Sequence, residues 1–83
     1  MLPSLAQQHA MQARLNMLLG RDAFDSLFPG VEFGELRKDT IDVWVRSDRS
    51  ACHIESRHLA VLATVVENTL RTPVRYVNLR CRQ

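Results

Sequence analysis

Eighty-three residues make one domain, spanning 1–83, with a modest core. Apolar residues are 46% and charged residues 24% of the chain, the balance of an ordinary folded domain and not of a disordered one. Eleven Lys and Arg against nine Asp and Glu leave a net charge of +2, too even to name a nucleic-acid partner.

No apolar run approaches the roughly 18 residues that mark a membrane span. The opening Met-Leu-Pro-Ser-Leu-Ala-Gln-Gln lacks the basic and apolar regions of a signal peptide, so the expected location is cytoplasmic. Two cysteines, Cys52 and Cys81, are few for a secreted domain of this size and read as reduced thiols, with a single disulfide left open. Ten of the eleven basic residues are arginine, which suits bidentate pairing, but the bias reads as compositional.

In chain order, residues 5–19 read as a helix. Met11, Leu15, Leu18 and Leu19, with Leu5 one turn back, follow the 3.6-residue period, while Gln7, Gln8, Gln12 and Arg14 fall on other faces. Ser4 is a good N-cap and Gly20 a good stop. A short second helix follows, capped by Asp22, with Phe24, Leu27 and Phe28 as its apolar face and Pro29-Gly30 as its end.

Val31 to Leu36 predicts a first strand, interrupted by Gly34. Arg37-Lys38-Asp39 is a polar turn, and Thr40 to Arg46 is the clearest strand of the chain. Ile41, Val43 and Val45 should face the core, with Thr40, Asp42, Trp44 and Arg46 on the other side. Ser47-Asp48-Arg49-Ser50 is a helix entry, and one long helix is expected to run to about Leu70. Its stripes are Ala51, Ile54, His58, Val61 and Val65, and beside them Leu59, Leu62, Val66 and Leu70. Arg71-Thr72-Pro73 breaks it. Val74 to Arg80 is the last strand, with Val77, Leu79 and Cys81 on one face and Val74, Tyr76, Asn78 and Arg80 on the other. The fold class is therefore α+β, ordered α-α-β-β-α-β, with a three-stranded sheet packed against helices.

Chemistry is sparse. Cys52, His53, Glu55 and His58 lie close in sequence, but His53 and His58 are five residues apart, about 140° around a helix, and share no face. A zinc pair needs spacing of three or four. Even with Cys81 near Cys52, two ligands do not make a site, so no metal and no cofactor are expected. No serine or cysteine sits in a nucleophile pattern, and the phosphate-binding glycine motifs are absent, so the chain is not expected to be an enzyme. The order is close to KH-like folds, but Gly20, Gly30 and Gly34 lack the Gly-x-x-Gly clamp on RNA.

Trp44 is the most informative residue. Alternation puts it with Arg46 on the face away from the core, and Tyr76 and Arg80 fall on the corresponding face of the last strand. Tryptophan, tyrosine and arginine are the usual hot-spot residues of protein interfaces. The same set resembles a stacking platform for single-stranded nucleic acid. A third reading covers Trp44 with helix 1 or a terminus.

Several stretches carry a family resemblance: Leu15-x-x-x-Leu19, Ala23-Phe24-x-x-Leu27, Thr40-Ile41-Asp42-Val43-Trp44-Val45, the helix from about Ser50, and Pro73-Val74-Arg75-Tyr76-Val77. Together they resemble domain I of the bacterial replication initiator DnaA, over nearly the whole chain and as a match of pattern. A similar small fold occurs in the tail of the polymerase clamp-loader subunit tau. The resemblance implies an adaptor that docks onto DNA-replication machinery and self-associates weakly as a homodimer. It also exposes departures. Leu27 stands where the family has tryptophan, and Gln8 where it has the helix-1 aromatic linked to self-association. Ala23 and Arg49 stand where it has the acidic and aromatic helicase contacts. The candidate partner-binding residues are Trp44, Arg46, Arg49, Tyr76 and Arg80. The expected partner is a protein, with single-stranded nucleic acid the alternative.

Overall fold

The structure, a computed structural model, describes residues 1–81. Each element begins where a local signal starts it. Ser4 caps α1 (Leu5–Leu19) in a full capping box: its hydroxyl accepts from the Gln7 N–H, and the Gln7 amide accepts from the Ser4 N–H. Gly20, at φ 89°, ends α1 and at once precedes α2 (Arg21–Leu27). Asp22, expected to cap α2, instead lies in its first turn, because Gly20 supplies the positive φ that lets the second helix follow directly.

β1 (Glu32–Arg37) and β2 (Thr40–Val45) form an antiparallel hairpin closed by Lys38-Asp39. β3 (Tyr76–Cys81) pairs parallel with β2, giving the order β1-β2-β3. β1 and β3 are therefore the two edges. The register on the β3 side runs unbroken from Thr40↔Tyr76 to Val45↔Cys81. On the β1 side it slips between Phe33 and Leu36, where Gly34 and Glu35 together face Asp42. This bulge returns both Phe33 and Leu36 to the core face although they are three residues apart.

The expected long helix is two helices. α3 (Asp48–Arg57), capped by Ser47, ends at His58, and α4 (Leu59–Leu70) begins there. His58 sits at φ −124°, ψ 8°, with its ring edge-on to Phe28 at 6.3 Å. The break turns α3 toward α2 while α4 packs along α1. It also rotates the two halves of the apolar stripe, so Ile54, Leu62, Val65, Val66 and Leu70 are buried while His58, Leu59 and Val61 are only half-buried.

The core joins Met11, Leu15, Phe28, Ile54, Leu62, Val65, Val66 and Leu70 from the helices to Phe33, Leu36, Ile41, Val43 and Val45 from the sheet. Val74, expected on the open face of the last strand, is buried in this core: it precedes β3 and its N–H is held by the Glu67 carboxylate at 2.7 Å. In α1 only Met11 and Leu15 are fully buried. Leu5 and Leu18 face outward and Leu19 is half-buried. The helices thus make one layer and the sheet a second, with Ile41, Val43 and Val45 between them. Among the described residues no helix is long and apolar enough to cross a membrane.

Candidate functional site

The alternation of β2 leaves the second sheet face without a helical layer. Strand register orders this face in three rows: Glu32, Trp44 and Arg80; then the bulge, Asp42 and Asn78; then Arg37, Thr40 and Tyr76. Tyr76 is 59% exposed, Asn78 and Arg80 are exposed, and Trp44 and Asp42 are half-buried.

Trp44 is half-buried, and two residues of its own sheet face lie against it. The Arg80 guanidinium carbon lies 5.6 Å from the centre of its ring, a cation–π contact. Beneath it is Gly34, which is buried: a Cβ built there would stand 3.1 Å from the Trp44 indole nitrogen and 3.2 Å from the Asp42 carbonyl oxygen. The missing side chain is what lets the indole settle against β1. Arg80 also pairs with Asp42 at 3.5 Å, and the Asn78 amide donates to Asp42 at 3.1 Å. Asp42 therefore ties two residues of β3 to β2 and sets the position of the guanidinium over the ring.

The five candidate residues do not form one cluster. Trp44 and Arg80 are direct cross-strand neighbours. Tyr76 shares their face but lies four residues along β3, about 13 Å away at the usual strand rise. Arg46 is exposed just past the end of β2 and borders a shallow cleft with Pro29, Gly30 and Val45. Arg49 belongs elsewhere. It lines a cleft of about 410 Å³ between α2 and α3, with Ala23, Ser26, Leu27, Ser50 and His53. Ala23 and Arg49 thus share one cleft.

Three contributors to the Trp44 cluster were not singled out in the sequence: Gly34, Asp42 and Asn78. The signal for Gly34 was present, since an isolated glycine in a strand marks a bulge or a close approach. For Asp42 and Asn78 there was none, because their pairing requires β2 and β3 to be adjacent and in this register.

The cysteine and histidine positions are now placed as well. Cys52 and Cys81 are free thiols, Cys52 exposed and Cys81 half-buried. Burial, and then the hydrogen bond and charge of Asp48, raise the Cys81 thiol above its ordinary range. His53 is exposed, and His58 packs on Phe28. Among the described residues no three His, Cys, Asp or Glu side chains are grouped as metal ligands would be.

No protein-family model matches the chain, and no curated protein matches it.

Proposed function

We propose that this chain is a non-enzymatic protein–protein interaction module that docks a protein partner on the open sheet face around Trp44 and Arg80. The observation that carries the reading is the Trp44–Arg80 pair on a face with no helical layer, held in place by Gly34, Asp42 and Asn78. A half-buried tryptophan held by surrounding side chains loses little conformational freedom on binding, which is the property of an interface anchor. The resemblance to domain I of the replication initiator supports a replication protein as the partner, an adaptor role, and weak self-association. A cytoplasmic location belongs to the same reading.

Charge favours a protein over single-stranded nucleic acid. Among the described residues Arg80 is the cation beside Trp44 in register; it is already paired with Asp42, and Glu32 flanks the same row. A strand-binding face needs unspent positive charge to track phosphates and ring faces open for stacking. Here one face of the indole is taken by Arg80, and Tyr76 lies two rows away.

The test uses wild-type protein and Trp44→Ala as paired baits in lysate from the native cell, with quantitative recovery of bound proteins. A partner held by the wild type should lose affinity by about 2 kcal/mol or more in Trp44→Ala, the hot-spot range. The variant should retain a cooperative melt, because the Trp44 side chain lies outside the helix–sheet core. Equal retention by both baits would place the site elsewhere. Salt-dependent quenching of Trp44 fluorescence by an oligonucleotide would replace the reading with the nucleic-acid one.

A further inference from the structure

The two edges of the sheet are finished differently. On β1, the outward N–H and C=O of Phe33 are both bonded by the Gln8 side-chain amide, whose oxygen accepts from Phe33 at 2.8 Å. The Gln12 amide donates to the Val31 carbonyl at 2.8 Å, just before the strand. Met1 exchanges backbone bonds with Leu36, at 2.8 and 3.0 Å. This edge is closed to any further strand.

β3 has no such cover. The Tyr76 N–H donates to the Asp39 carbonyl, so Tyr76 turns its backbone groups toward β2. In a parallel ladder this parity alternates, so Asn78 and Arg80 also turn inward while Val77 and Leu79 turn their N–H and C=O outward. Among the described residues no group bonds the backbone of Val77 or Leu79 from outside. Their side chains, on the helix side of the sheet, are half-buried, whereas their β2 neighbours Ile41 and Val43 are fully buried. Tyr76 to Cys81 also contains no proline or bulge, two of the usual guards of an exposed edge strand, and Arg80 is its one charged residue.

We propose that β3 pairs antiparallel with β3 of a second copy of this chain, about a twofold axis at Asn78, to make one six-stranded sheet. Hydrogen-bond parity requires outward residues to face outward residues, and this register sets Val77 opposite Leu79 in both directions. It also fits the side chains. Tyr76 of each copy lies across from Arg80 of the other in a close, non-hydrogen-bonded pair, where the ring can pack on the arginine stem, and the two Asn78 side chains meet on the axis. A register centred on Arg80 would set two guanidinium groups against each other. Because the axis is perpendicular to the sheet, both helical layers stay on one side and the two Trp44 faces become continuous. The proposal stands on the edge geometry and does not require a partner at Trp44.

Sedimentation equilibrium of the full chain over a wide concentration range should give a reversible monomer–dimer equilibrium. Asn78→Lys puts two like charges face to face on the axis and should weaken the dimer roughly tenfold or more. Its monomer should keep a cooperative melt, lowered only by the loss of one exposed hydrogen bond to Asp42. The register has a positive test. With Cys52→Ser and Cys81→Ser as background, Asn78→Cys sets two thiols across a pair with Cα atoms about 4.5 Å apart, within disulfide reach. Mild oxidation should give a covalent dimer. Tyr76→Cys in the same background should not, because its counterpart is Arg80. A monomer at every concentration overturns the proposal, as does a dimer that resists Asn78→Lys and is not cross-linked through Asn78→Cys. Trp44→Ala should dimerise as the wild type does, which separates this result from the fate of the docking site.

Discussion

At the scale of single residues, the smallest side chain on the open face has a large effect. Gly34 is not placed by a positive φ; it is placed by what lies over it. Gly34→Ala would push a methyl group against the indole nitrogen and the Asp42 carbonyl, and only the indole is free to give way. The expected cost is about 1–3 kcal/mol in stability, as for overpacking elsewhere, read from a denaturant melt. Trp44 fluorescence should shift red as the ring is lifted into solvent. An unchanged melt and spectrum would mean that the indole does not rest on Gly34. Left-handed φ occurs instead at two non-glycine residues, Lys38 in the hairpin turn and Arg71 at the end of α4, where the polar-turn and helix-break signals had already put chain reversals.

At the scale of elements, the periodicity of residues 48–70 identified a helix but not its interruption. Neither proline nor glycine occurs near His58, so no local breaker was there to read. The consequence falls on Val61. Continued as one helix, the stripe made Val61 a core residue; with the turn at His58, Leu62 is fully buried and Val61 half-buried. Leu62→Asp should therefore unfold the domain, at a cost of about 4 kcal/mol or more for a buried unpaired carboxylate. Val61→Asp should cost distinctly less, since its carboxylate reaches water. Thermal melts of the two variants decide the point, and equal loss in both would argue for the continuous helix. The strands were easier to read, because alternation in Thr40 to Val45 is strict and a slip of one residue would have turned every apolar side chain to solvent.

At the scale of the whole molecule, the sheet is finished at one edge and open at the other. Gln8 and Gln12 looked like ordinary polar residues on the outer face of α1. In three dimensions they serve as surrogate strand groups for β1. Gln8→Ala should leave both outward backbone groups of Phe33 without their partner and cost about 1–2 kcal/mol. It should also open the β1 edge at Phe33, between the positions that Gln12 and Met1 still cover, so that light scattering detects association beyond a dimer. Wild-type stability with no higher association would show that Gln8 does not close the edge. The α+β class, the order of elements, the cap at Ser4, the helix entry at Ser47 to Ser50, the core faces of β2 and α4 at Val65 and Val66, and the outward facing of Trp44 were determined by sequence alone. Each rests on contacts between residues near in the chain, where period and cap chemistry are sufficient. The break at His58, the bulge at Gly34, the Asp42 link to Asn78 and Arg80, the separation of Arg49 from Trp44, and the unequal edges were decided only by the tertiary structure. Each of these depends on which distant segment lies alongside, and that is set by the global packing of the core and not by any local pattern.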